Sequence, residues 1–291
     1  MFTQELDWLF DDTNLLQLLK DYYINPSLLI SDSSSAVGIY DSESNQYWQC
    51  IKLEKRSKIL IALPDNKVVV QQNNTLQIWS LKTGKYIKTV PNSQNITAVT
   101  LLKDNTLVYA NIRLWFYGLD EQQRSIPILH TITLIFQSSN GTIFFIADEI
   151  LQKLVGNKVL ITLRHIDDVN KLIEIQPNQL AYINDGVIMV DMDGKTVDSL
   201  GIDNLNSIIM LNSKNYVGIS KNQLIIGENT TFTSRTLEME NPISDVVGDD
   251  TETSVLVCDD DSNIFTIDLE SLDVIKEYYH HGLILKMVKP Y

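Results

Sequence analysis

Glycine is scarce in this chain, 12 in 291 residues, and cysteine scarcer still, with two. So little glycine disfavours repeats built on a paired-glycine signature. Cys50 and Cys258 sit in apolar, strand-like runs and read as small core residues, not as a disulfide or a nucleophile. No uncharged apolar run reaches about 18 residues, so a membrane-spanning helix is not expected. Met1 to Phe10 carries Glu5 and Asp7 but no Lys or Arg. Without the basic start of a secretory signal, an intracellular location, cytoplasmic or nuclear, is expected. Cations are also short: 23 Lys and Arg stand against 37 Asp and Glu, a formal net charge of -14. Such a surface repels nucleic-acid phosphates and anionic membranes. Its densest basic run, Lys52 to Lys58, holds only four cations. A basic protein or peptide is therefore the expected partner, with no direct nucleic-acid contact and no membrane insertion.

Catalytic signatures are missing as well. There is no Gly-x-Ser-x-Gly elbow, Walker loop or dinucleotide glycine fingerprint. His130, His165, His280 and His281 form no His-x-x-x-His pair and no zinc spacing with cysteine. Asp259-Asp260-Asp261-Ser262-Asn263 lacks the glycine and the bidentate Glu of a calcium loop and reads as a strand connection. Asp191 to Gly194 reads as a tight turn. The chain is expected to be a non-enzyme with no cofactor and no metal.

What is present is a repeat. Hydrophobic residues make up 44% and charged residues 21%, ample for a globular core. From Lys58 to Pro91 come KILIALP, NKVVVQQN, TLQIWSL and GKYIKTVP, four short β-branched and aromatic runs separated by turn residues. That is a four-stranded antiparallel meander. The pattern returns over Ile96–His130, Ile132–Ile166, Val169–Leu200, Leu205–Met239 and Ile243–His280, giving six units. The remainders are three strands near the start (SLLISDS, AVGIYDS, YWQCIKL) and one at Leu283–Lys289. Three and one make a seventh sheet if the two ends pair, which hides the free edges of a ring. Asp41, Ser80, Phe116, Lys153, Asp191, Gly227 and Asp268 fall at equivalent places, about 38 residues apart.

Ile78-Trp79-Ser80-Leu81-Lys82-Thr83-Gly84 resembles the end of a WD40 repeat, with Ser80 where the name-giving Asp stands. Ile39-Tyr40-Asp41 and Ile267-Asp268-Leu269 keep the Asp, and Leu114-Trp115-Phe116 keeps the Trp. The opening Gly-His is missing throughout, and no His-Ser/Thr-Asp-Trp tetrad assembles from the sequence. The resemblance covers about residues 27 to 290. It implies an all-β fold, a seven-bladed WD40-like propeller whose first blade is closed by the C-terminal strand. A short N-terminal helical extension over 1–25 precedes the propeller of 26–291. Leu6, Leu9, Phe10, Leu15, Leu16, Leu18, Leu19 and Tyr22 recur at helical spacing there.

The resemblance also implies a function: a scaffold or adaptor, a subunit of a hetero-complex that binds proteins through the loops of one face. Those loops hold Arg56, Asn74, Asn92, Gln94, Asn111, Asn184, Asp185, Asp259 and Asp260. Trp8 and Phe10 are candidate anchors if the N-terminal helix docks on a partner. The alternative is a ligand-binding or catalytic propeller with its site in the central channel.

Overall fold

The computed structural model describes residues 28–288, apart from 33–35, 42–44, 54–57, 119, 129, 156–158, 167–168, 170, 184–186, 201–204, 212–214, 229–233, 249–252 and 281–282. The helix expected over Thr3 to Tyr23 lies outside the described residues. Within them the chain forms 28 strands in seven antiparallel four-stranded sheets, and no helix.

Blade I takes β1 (Leu28–Asp32), β2 (Ala36–Asp41) and β3 (Gln46–Lys52). Blade II takes β4 (Lys58–Leu63), β5 (Lys67–Gln72), β6 (Thr75–Ser80) and β7 (Tyr86–Thr89). Blade III takes β8 (Ala98–Leu101), β9 (Leu107–Ala110), β10 (Arg113–Tyr117) and β11 (Gln123–Pro127). Blade IV takes β12 (Ile132–Gln137), β13 (Ile143–Ala147), β14 (Ile150–Val155) and β15 (Val159–His165). Blade V takes β16 (Leu172–Gln176), β17 (Gln179–Ile183), β18 (Val187–Asp191) and β19 (Thr196–Leu200). Blade VI takes β20 (Ser207–Met210), β21 (Asn215–Ser220), β22 (Gln223–Glu228) and β23 (Ser234–Glu238). Blade VII takes β24 (Ile243–Gly248), β25 (Ser254–Asp259), β26 (Asn263–Asp268) and β27 (Val274–Tyr279), after which β28 (Ile284–Val288) pairs with β1. Blade I is therefore ordered β28-β1-β2-β3. The first strands of neighbouring blades lie against one another in cyclic order around a central channel, β28 beside both β24 and β4.

Strand composition follows from position in the blade. The second strand of each blade is sandwiched between two neighbouring sheets, so both of its faces are apolar. In β13 and β9 every residue is buried. Alternate side chains feed different cores, as the period of two requires. Val68 and Val70 pack toward blade I while Val69 packs toward blade III. Phe145 and Ala147 pack toward blade III while Phe144 and Ile146 pack toward blade V. The apolar interior is thus seven clusters, one at each seam between blades. Fourth strands sit at the rim and are largely exposed, as in β27 and β7.

The turns explain how a glycine-poor chain makes so many hairpins. Asparagine tolerates the left-handed backbone better than other side chains do, and among the described residues eight of the fifteen non-glycine residues with positive φ are Asn. Asn73 and Asn74, both left-handed, form the two-residue connection between β5 and β6. The third-to-fourth strand turns explain the WD-like positions. Asp191 Oδ1 accepts from Asp193 N and Lys195 N, and Asp268 Oδ1 from Glu270 N and Ser271 N. Ser80 Oγ accepts from Thr83 N. Each of these residues caps its own turn. In blade III the matching backbone bond starts from Gly118 N, so the equivalent residue there is Gly118 and not Phe116, whose ring is buried in the core.

Two glycines are covered by tyrosines. A Cβ on Gly227 would meet the Tyr216 ring at 2.3 Å, and one on Gly38 would meet the Tyr47 ring at 2.4 Å. Tyr216 is fully buried, so its ring can shift only by displacing packed neighbours. Gly227→Ala is expected to cost roughly 1–3 kcal/mol by overpacking. A fall in the urea midpoint at constant m would show it; an unchanged midpoint would mean that the ring moves aside freely.

Alkaline pH should also weaken the fold. Burial pushes the Cys258 thiol up to about 12 against the opposing Ser244 hydrogen bond, and pushes the Tyr40 phenol up to about 12. Both groups stay protonated in the folded chain, while in the unfolded chain they ionise from about pH 9 to 10. Their contribution is therefore complete below about pH 9 and is lost between there and pH 12, by roughly 1.4 kcal/mol per pH unit per group. Chemical denaturation from pH 7 to 11 checks this. A flat profile above pH 9 would refute it.

Candidate functional site

One rim of the ring carries the connections from fourth to first strands and from second to third strands. Between blades II and III these connections are bound into a single polar lattice. Ser93, buried, accepts from Leu76 N at 2.9 Å and donates to Val90 O at 2.6 Å, which pins the segment Pro91 to Gln94. Asn95 N donates to Asn74 O at 3.0 Å. Asn111, in the two-residue connection of blade III, uses its whole amide. Its Nδ2 donates to Asn92 O at 3.0 Å and Gln94 O at 3.3 Å. Its Oδ1 accepts from Arg113 N at 3.0 Å and Trp115 Nε1 at 3.2 Å.

Behind this lattice Asn92 Nδ2 donates to Gln123 Oε1 at 2.9 Å, and Gln123 Nε2 donates to Tyr109 Oη at 2.7 Å. Tyr109 Oη donates in turn to Pro91 O. Burial pushes this phenol up to about 12, with the Gln123 hydrogen bond opposing, so it remains a donor at neutral pH. The Tyr109 and Trp115 rings stack at 6.4 Å and 13°. Arg113 lies 5.7 Å from the Trp115 ring and its Nε donates to Ser125 Oγ at 2.9 Å. The result is an open groove of about 520 Å³ lined by Asn92, Gln94, Asn95, Asn111, Arg113 and Trp115. At its edge Ile112 is 81% exposed.

Four of the candidate residues, Asn74, Asn92, Gln94 and Asn111, thus come together, three of them in the groove itself. Asp259 and Asp260 lie elsewhere, on blade VII. Asp259 is buried; its Oδ1 accepts from Asn263 N at 2.8 Å, and its Oδ2 accepts from Asn263 Nδ2 and Asn241 Nδ2. It holds the β25–β26 turn, so a charge reversal there tests the turn and not a partner. Asp260 is exposed on the same turn. Trp8, Phe10, Arg56, Asn184 and Asp185 lie outside the described residues. Ile112, Arg113, Trp115 and Gln123 were not legible as site residues. The one available signal was an isoleucine in a two-residue turn, where Gly, Asn or Asp is the usual choice.

The same rim holds two His–Asp pairs. His280 Nε2 meets Asp32 Oδ2 at 3.0 Å with both side chains buried, 5% and 7% exposed. His130 Nδ1 meets Asp148 Oδ2 at 2.7 Å with both about half exposed. Each joins the connection entering a blade to the end of that blade's second strand. Asp148 is held below the usual carboxylate range, first by His130.

No family model and no curated protein matches this chain. Solved structures do. Dihydro-heme d1 dehydrogenase NirN in complex with DHE superposes with TM-score 0.66 at 13% identity, covering 88% of this chain, which spans 64% of that chain. The WD40 β-propeller domain of Doa1 gives TM-score 0.60 at 14% identity over 77% of this chain and 82% of that one. The C-terminal WD40 domain of Sif2 gives 0.64 at 10% identity over 89% and 84%. The chain has the fold of a seven-bladed β-propeller and is similar in that fold to these WD40 domains. At these identities the likeness concerns fold alone, since WD40-type rings host unrelated functions. Among the described residues, no helix is long and apolar enough to cross a membrane, and no three His, Cys, Asp or Glu side chains gather as a metal site.

Proposed function

We propose that this propeller is a non-enzymatic protein-interaction platform, a subunit of a hetero-complex, and that the blade II–III groove is its main contact. The observation that carries the reading is the groove itself. It combines preorganised amides, an Arg113–Trp115 pair and an exposed Ile112 on a rigid rim. Trp, Tyr and Arg dominate interface energetics, and a lattice ordered before binding reduces the entropy lost on association. The net charge of -14 favours a basic partner, approached over the exposed Asp260 side of the same rim.

Purification of the tagged chain, followed by calorimetry with the protein recovered at fixed stoichiometry, tests the proposal. Asp260→Lys is expected to weaken binding a few-fold and to reduce its salt dependence. An unchanged salt slope would remove the charge component. The second reading, a ligand-binding or catalytic propeller, draws on the NirN likeness in fold.

A further inference from the structure

Inside the ring, four consecutive first strands bring polar groups to one level of the channel. Ser207 in β20, Asp245 in β24 and Lys286 in β28 occupy matching positions, opposite Ile219, Cys258 and Ser31. Each of those partners is the penultimate residue of its blade's second strand. Lys171 stands one step nearer the rim, immediately before β16.

Lys171 Nζ donates to Ser207 Oγ at 3.0 Å across the blade V–VI seam. Among the described residues no carboxylate hydrogen-bonds to it. The nearby carboxylate, Asp245, directs Oδ2 to Met287 N at 3.0 Å and to Lys286 Nζ at 3.5 Å. Burial first, and the Lys286 ammonium second, pull Lys171 down to about 8, with Asp245 opposing. Among the described residues, these two lysines share one committed carboxylate in a half-buried place, which leaves an excess of one positive charge there.

We propose that this level of the channel binds a small oxyanion of the phosphate class, gripped by Lys171, Ser207 and Lys286. Three donors from three separate blades suit an anion with several acceptor oxygens. The net charge of one contributed by Lys171, Lys286 and Asp245 suits a mono- or dianion better than a polyphosphate.

Titration of the full chain with inorganic phosphate at constant ionic strength tests this, with lysine ¹³Cε NMR and calorimetry as readouts. Lys171 is expected to titrate about one unit higher when phosphate is bound, roughly a tenfold coupling. Lys171→Gln and Lys286→Gln should each weaken binding by about tenfold or more. Lys286 is half-exposed, so that variant keeps its fold. A parallel titration with glycerol 2-phosphate separates free phosphate from a phosphate ester; binding of either supports the site, and the tighter one names its source. The proposal is overturned if neither moves Lys171, if potassium chloride gives the same shift, or if Lys286→Gln binds phosphate as wild type does.

Discussion

His280→Ala is expected to lower the unfolding free energy by about 3 kcal/mol, and His130→Ala by less than about 1 kcal/mol. The chemistry of the two pairs is the same and their burial is not. Asp32 keeps a bond from Ala36 N at 3.1 Å, but loss of the imidazole takes a donor from a buried carboxylate and opens a hole beside Tyr47, whose ring packs edge-on against His280 at 4.7 Å. His280 also lies at the seam that closes the ring, where Ile30, Tyr40, Leu256, Cys258, Ile284 and Met287 form one cluster. Asp148 and His130 remain hydrated whichever partner is removed. Urea unfolding of both variants decides the matter. Equal effects would mean that burial does not distinguish the pairs.

That seam also shows what was legible in the sequence. The six complete units and the three-and-one remainder were visible because strand composition is a local property. The second strands in particular read as unbroken apolar runs such as Ile143-Phe144-Phe145-Ile146-Ala147. The His280–Asp32 pair was not visible, because its members are 248 residues apart and meet only when β28 joins β1. Asn111 was legible as a face residue, but its bridging of Asn92, Gln94, Arg113 and Trp115 depends on how two connections from different blades meet. The misplacement of Phe116 has a similar cause. A Trp-Phe-Tyr run has no short-chain oxygen acceptor of the Asp or Ser kind to mark the turn cap, and the backbone bond that identifies Gly118 is silent in sequence.

Asn111→Ala is the second large expected effect, and it separates organisation from contact. The substitution removes four hydrogen bonds at once, two of them to the Pro91–Gln94 segment and one to the Trp115 indole. A stability loss of roughly 1–3 kcal/mol is expected, since each partner is in part able to turn to water. The loss in partner affinity should be larger, on the order of 100-fold, because the Trp115 indole loses its acceptor and the loosened groove must be reordered on binding. Comparison of the urea midpoint with the calorimetric affinity checks this. A variant destabilised as expected but binding normally would remove the lattice from the interaction.

Ile112→Asp tests the central claim most directly, because Ile112 is almost fully exposed and its replacement leaves the fold intact. Partner affinity is measured for the wild type, for Ile112→Asp, and for Lys195→Glu on the opposite rim. The platform reading predicts a loss of at least about 30-fold for Ile112→Asp, as for an anchor worth about 2 kcal/mol or more, and wild-type affinity for Lys195→Glu. Unchanged binding by Ile112→Asp, or an equal loss in both variants, would contradict it.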